Sequence, residues 1–196
     1  MAVAGADLAL LRPRDAEALL DEEAFEHEEF LPYWAELWPS AVALARAIGT
    51  RALHGARSLE LGCGLGLPSL AAARAGGRVL ASDWSPEAVA MTARNARRNG
   101  IVLETLVCSW TAPEPLLERG PYDLVLASDV LYEARNGEAL LPLLPRLLAR
   151  RGEVWLADPG RPAAQRFLAA AAAAFTVDTR AAAELPRGGV HRLRLA

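Results

Sequence analysis

The sequence predicts an α/β fold: a Rossmann-like three-layer sandwich on a mostly parallel seven-stranded sheet that ends in a C-terminal antiparallel hairpin. Three observations carry this. From Arg57 onward short apolar runs alternate with helix-patterned segments, as in a parallel sheet covered on both faces. The first run empties into a glycine-rich turn, Gly62-Cys63-Gly64-Leu65-Gly66, that opens a helix and suits close approach of the backbone to a nucleotide-like ligand. After the last helical segment, two strand-like runs flank Pro186-Arg187-Gly188-Gly189, the pattern of a hairpin.

At 196 residues, 53% hydrophobic and 23% charged, the chain suits one domain with a sizeable core. Residues 1–50 are expected to form a helical arm packed on that core, and residues 51–196 the sheet domain. Asp15 to Phe30 is acidic, with Leu19, Leu20, Phe25 and Phe30 as an intermittent helical stripe. It reads as a solvated helix face or as an electrostatic funnel for a cationic substrate. Pro32 interrupts that helix. Trp34 and Trp38, spaced i,i+4 ahead of a helix ending near Gly49, put two rings on one face, to staple the arm to the core or to wall a pocket.

Strands are then expected at Arg57 to Leu61, Arg78 to Ser82, Val102 to Cys108, Asp123 to Ala127 and Glu153 to Ala157. Helices are expected at Leu67 to Ala75, Pro86 to Arg98, Ala139 to Arg150 and Pro162 to Ala174. Ser85 before Pro86 is a capped first turn, and Gly100 marks a helix end. Phe175 to Arg180 and Val190 to Leu195 supply the hairpin.

A net charge of -3 argues against a general nucleic-acid binder, which needs a basic face to displace counterions. Cys63 and Cys108 lie far apart and the three histidines are scattered, so no structural metal is expected and the compartment is read as reducing and cytoplasmic. Neither a signal peptide nor a membrane anchor is indicated. All 21 basic residues are arginine, which follows from nucleotide bias and leaves the chain without a lysine of its own to modify.

In a sheet of this kind ligands bind beyond the carboxyl ends of the strands at the topological switch point. Asp83 follows the second strand, where a carboxylate can accept hydrogen bonds from both ribose hydroxyls. Ser109 and Trp110 follow the third, a hydroxyl and a flat ring suited to adenine. Ser128, Asp129 and Tyr132 follow the fourth.

These residues give the chain a resemblance to the class I, seven-beta-strand S-adenosylmethionine-dependent methyltransferases, and within them to the protein lysine methyltransferase group that includes the electron-transfer-flavoprotein lysine methyltransferases. It rests on the Glu60 to Gly66 motif, Asp83, Trp110, Asp129-Val130-Leu131-Tyr132, the Pro32-Tyr33-Trp34 and Leu37-Trp38-Pro39 arm, and Asp158-Pro159-Gly160-Arg161. The resemblance implies that Glu60, Gly62, Gly64 and Gly66 shape the pocket for S-adenosyl-L-methionine and that Asp83 holds its ribose. It further implies that Trp84 and Trp110 flank the adenine and that Trp38 closes the methionine side. Ser109 stands where relatives often carry Asp. Asp129 and Tyr132 are the expected substrate-side groups, orienting an amine through hydrogen bonds and a ring wall. The acceptor is expected to be a protein with an exposed lysine, or a small nitrogen, oxygen or sulfur nucleophile. A nicotinamide-binding oxidoreductase fits less well, because the Gly62-x-Gly64-x-Gly66 spacing is shorter than the dinucleotide fingerprint. A non-catalytic binding module is the remaining alternative.

Overall fold

Side-chain alternation along the strands sorts the protein into layers. In the computed structural model, which describes residues 2–3, 6–14 and 33–196, Leu59, Val125, Ala127, Val154 and Leu156 face one core, while Leu124, Leu126, Trp155 and Ala157 face another. Strands β1 (Ala2–Val3) and β2 (Ala6–Asp7) pair in a small antiparallel ribbon. Among the described residues seven strands then form one sheet: β3 (Arg57–Leu61), β4 (Arg78–Asp83), β5 (Glu104–Val107), β6 (Tyr122–Ser128), β7 (Leu148–Asp158), β8 (Phe175–Arg180) and β9 (Gly189–Leu195). Their spatial order is β5-β4-β3-β6-β7-β9-β8. The pairs from β5 across to β7 are parallel, and β9 runs antiparallel to both β7 and β8. The chain reverses its direction of travel between β3 and β6, which places the switch point there.

Helices α1 (Pro39–Gly49), α2 (Leu67–Arg74) and α3 (Pro86–Arg98) cover one face. Helices α4 (Glu114–Glu118), α5 (Ala134–Leu147) and α6 (Pro162–Ala171) cover the other. The three-layer sandwich with a terminal hairpin is therefore the fold. Ser85 caps α3 by accepting from the Ala88 amide at 3.1 Å. Helix α1 is a full member of its layer, with Ala43, Leu44 and Ile48 in the core beside Leu126 and Trp155. Leu11 and Ala9 are tied to α3 through Asn95 and Asn99, whose side chains exchange hydrogen bonds with those backbones. The acidic stretch from Asp15 to Phe30 lies outside the described residues.

Several boundaries differ from expectation: β5 starts two residues later, α6 ends three residues earlier, and the largest shifts fall at one helix and the strand after it. The helix expected at Ala139 to Arg150 is α5, which begins five residues earlier and stops at Leu147. Leu148 to Arg150 open β7 instead, because Leu148 finds Tyr122 as a cross-strand partner and tertiary pairing outweighs the helix propensity of Leu-Ala-Arg. Short α4 carries only Leu116 into the core, too weak a stripe to be seen in sequence.

Candidate active site

Strand β3 alternates its side chains, so with Leu59 and Leu61 in the sheet's larger core Glu60 must point toward α2. There it is fully buried and accepts hydrogen bonds from the Ser69 amide at 2.9 Å and from the Ser69 hydroxyl. Burial pushes its carboxyl up from an ordinary 4.5 to about 8, with the Ser69 bonds pulling the other way. Glu60 is thus a correction: it does not line the pocket but braces the turn from beneath.

The turn needs glycine. Gly62, Gly64 and Gly66 all take positive φ, at 68°, 51° and 81°. A Cβ on Gly66 would stand 2.7 Å from the Thr92 side chain of α3, and one on Gly64 would stand 3.2 Å from the Trp34 carbonyl. The tryptophan arm therefore lies directly on the turn. Trp38 donates its indole N–H to the Tyr33 carbonyl at 2.8 Å, and the Tyr33 ring meets Tyr132 with centroids 5.5 Å apart.

Asp83 ends β4, buried, and accepts from the Gly64 amide at 3.0 Å and the Ser85 amide at 3.1 Å. Burial raises its pKa and those two amides oppose the rise. The Trp84 amide also donates to it, and with three amides on about four acceptor sites the carboxylate keeps room for a further donor. Trp84 is 49% exposed at the pocket mouth, whereas Trp110 is partly buried against the core, 3.5 Å from where a Gly62 Cβ would be. The Ser109 hydroxyl pairs with that of Thr111 at 2.9 Å.

At the far side of the switch point Asp129 sits immediately after β6 in the left-handed region, φ 61°, its amide donating to Ala157 at 2.9 Å. Its carboxylate pairs with Arg161. Burial holds the Tyr132 phenol above its ordinary range, with a hydrogen bond from Asn136 opposing, so it remains a hydroxyl at neutral pH.

These groups line one cavity of about 910 Å³, inside the range of roughly 300–1,000 Å³ usual for small-molecule sites. Of the residues expected from sequence, Trp38, Gly62, Gly64, Gly66, Asp83, Trp84, Ser109, Trp110, Ser128, Asp129 and Tyr132 line it, and Glu60 does not. Sequence reading gave no site role to Tyr33, Glu36 or Arg161, which also line the cavity. Tyr33 and Arg161 stood only as members of the arm and of the Asp158-Pro159-Gly160-Arg161 segment that carry the resemblance. No cluster of three metal-ligating side chains occurs among the described residues.

The fit to a nucleoside-bearing methionine is one of shape and chemistry: a left-handed glycine turn whose backbone lines the cavity without side chains, a carboxylate with room for a further donor beside it, and indole surfaces within the same cavity. The strand order, the glycine turn and the acid at the tip of β4 are those of the class I methyltransferase fold. The chain belongs to the lysine methyltransferase family, whose model matches residues 27–172. It is 35% identical to the electron transfer flavoprotein beta subunit lysine methyltransferase of Xenopus laevis over 66% of this chain and 53% of that protein. It is 34% identical to the histone-arginine methyltransferase METTL23 of Xenopus laevis over 63% of this chain and 56% of the relative. The chain spans about half the length of these curated relatives. Among solved structures, cofactor-bound Rv0187 from MTB shares the fold at 20% identity and TM-score 0.66, over 89% of this chain and 90% of that one. The ribosomal protein L11 methylase from Lactobacillus delbrueckii subsp. bulgaricus aligns at 26% identity and TM-score 0.59, over 78% and 76%.

Proposed function

We propose that this protein transfers a methyl group from S-adenosylmethionine to the side-chain nitrogen of a lysine in another protein. One observation carries the reading: a single cavity is lined both by the glycine turn with Asp83 and by Asp129 with Tyr33 and Tyr132. Family membership and the lysine methyltransferases among its relatives support it.

When bound, the donor supplies a methyl already activated by a sulfonium, so the chain's work is alignment and exclusion of water. Asp83 accepts from hydroxyls. Trp84 and Trp110 offer flat apolar surface, Ser109 and Ser128 offer hydroxyls, and Trp38 closes the arm over the turn. Tyr132 and Tyr33 wall the acceptor side, and Asp129 orients the incoming nitrogen.

No side chain here acts as a strong base. Asp129 is committed to Arg161, and Tyr132 keeps its proton. A lysine of ordinary pKa about 10.4 is neutral in roughly one molecule per thousand near pH 7.4, so the acceptor loses its proton before transfer, helped by desolvation at the mouth.

A guanidinium acceptor is the second reading, favoured by the histone-arginine relative. Calorimetry with S-adenosylmethionine, S-adenosylhomocysteine and NAD comes first, and NAD binding alone would overturn the reading. Tritiated methyl transfer to an extract of cytosolic protein, followed by hydrolysis, then separates methyllysine from methylarginine. Label confined to metabolites would move the acceptor to a small nucleophile. Any methyllysine found comes from the extract, because the chain has no lysine to label. The same proposal places it in a reducing cytoplasm, where Cys63 and Cys108 stay free thiols.

A further inference from the structure

We propose that Arg161 is a positioning residue for methyl transfer: by bridging Asp129 to Asp158 it fixes the Asp129 carboxylate at the acceptor half of the pocket. The proposal rests on the functional reading above. Strands β6 and β7 are parallel neighbours in register, Ser128 beside Ala157, so Asp129, just past β6, and Asp158, the last residue of β7, stand side by side. Their side chains are 7% and 1% exposed. One Arg161 nitrogen, Nη1, meets both carboxylates, lying 3.4 Å from Asp158, and a cation between two groups this deeply buried offsets the cost of their charge.

The turn carrying Arg161 is clamped independently of that ion pair. Asp158 accepts from the Gly160 amide at 2.7 Å and the Arg161 amide at 2.8 Å. A Cβ on Gly160 would lie 2.3 Å from the Arg187 carbonyl, and one on Gly188 would lie 1.9 Å from the Asp158 carbonyl. The turn between β8 and β9 therefore seats directly on the turn after β7, and Arg161 is delivered at the first turn of α6 from a fixed backbone.

Asp129 is not fixed in this way. It is a non-glycine residue at φ 61°, a sparsely populated conformation that persists only when neighbours hold it. Its amide bond to Ala157 holds the backbone, and Arg161 holds the side chain. Losing the guanidinium would leave Asp129 beside Asp158 with like charge and free to turn away from the acceptor. Arg161 thus acts through Asp129, and its own 28% exposure at the cavity wall is the price of reaching it.

The test is a double-mutant cycle. Arg161→Met, Arg161→Lys, Asp129→Asn and the Asp129→Asn/Arg161→Met pair are assayed for tritiated methyl transfer from S-adenosylmethionine to cytosolic protein extract. Affinity for S-adenosylhomocysteine and thermal stability are measured alongside. The expectation is that Arg161→Met lowers kcat about tenfold or more, leaves cofactor KM and S-adenosylhomocysteine affinity within about threefold, and costs less than about twofold in the Asp129→Asn background. Arg161→Lys should recover part of kcat, since an ammonium supplies the charge without the fork. If Arg161→Met does not fold, the same comparison is made with Arg161→Lys in the two backgrounds. An unchanged kcat, an equal drop in both backgrounds, or a parallel loss of cofactor affinity would overturn the proposal while wild-type activity leaves the functional reading intact. A wild-type enzyme that binds S-adenosylmethionine but labels no protein would sink that reading and this proposal together.

Discussion

The turn after β3 and the turn after β7 stand at the same end of the sheet and are built from similar parts, yet they handle charge in opposite ways. Each turns on left-handed glycines, Gly62 to Gly66 in one and Gly160 in the other. Each is held by a buried carboxylate that accepts backbone amides, Asp83 in one and Asp158 in the other. At the first turn Asp83 and the underlying Glu60 are held by hydrogen-bond donors, and burial raises both pKa values. At the second, Asp129 and Asp158 share Arg161. A carboxylate without a cation is poised to welcome donors brought by a ligand, whereas one locked to arginine is spent on geometry. The first turn is a receptor and the second is a jig.

The largest expected effect separates the two turns by what crowds their glycines. Gly160→Ala drives a Cβ into the Arg187 carbonyl and should cost more than about 3 kcal/mol by denaturant titration, with no single side-chain truncation able to relieve it. Gly66→Ala clashes only with the Thr92 side chain besides its strained φ, so it should cost about 2 kcal/mol, and adding Thr92→Ala should return part of that. Equal recovery at both sites would erase the distinction.

Asp158→Ala should rank next, at about 2–4 kcal/mol, because two buried amides and an arginine lose their acceptor. Asp83→Asn keeps an acceptor for Gly64 and should instead weaken S-adenosylmethionine binding about tenfold with a minor shift in melting temperature. A stability loss at Asp83 matching that at Asp158 would make the first turn another jig.

Glu60 offers a test by pH. Its folded pKa of about 8 lies above the ordinary 4.5, so the unfolded chain ionises first and the stabilisation present below about pH 4.5 is lost as pH rises toward 8. Glu60→Gln, fixed in the neutral state, should gain on wild type by an amount on the order of a few kcal/mol between pH 5 and 8.5, read from melting curves across that range. Parallel curves would mean that Glu60 ionises in the folded protein about as readily as in the unfolded chain.

The smallest effect is expected at Trp84. Half exposed at the mouth, its replacement by alanine should change stability by less than about 0.5 kcal/mol while weakening cofactor affinity about fivefold. Unchanged affinity would remove Trp84 from the cofactor half.

Much of this was legible before folding. The alternation of apolar strands and helices gave the sheet, and the glycines after Leu61 announced a backbone that must turn left-handed. The residues just past each strand end, Asp83, Ser109 and Asp129, already marked the pocket, because a parallel sheet collects its strand ends on one edge. Glu60 misled for the same local reason: the sequence shows an acid beside glycines but not which face of β3 it occupies once both neighbours are in the core. The sequence showed Arg161 in its segment but not its partner, because Asp129 lies 32 positions earlier.

The sequence by itself therefore determined the seven sheet strands, most of the helices, the glycine turn and the family resemblance, all of which depend on periodicities and turn chemistry within a few residues. The tertiary structure alone decided which carboxylates face donors and which face a guanidinium, that Trp34 lies on Gly64, and that the final hairpin clamps the turn after β7. Charge state and close backbone contact depend on distances through space between segments far apart in the chain, and no local pattern encodes them.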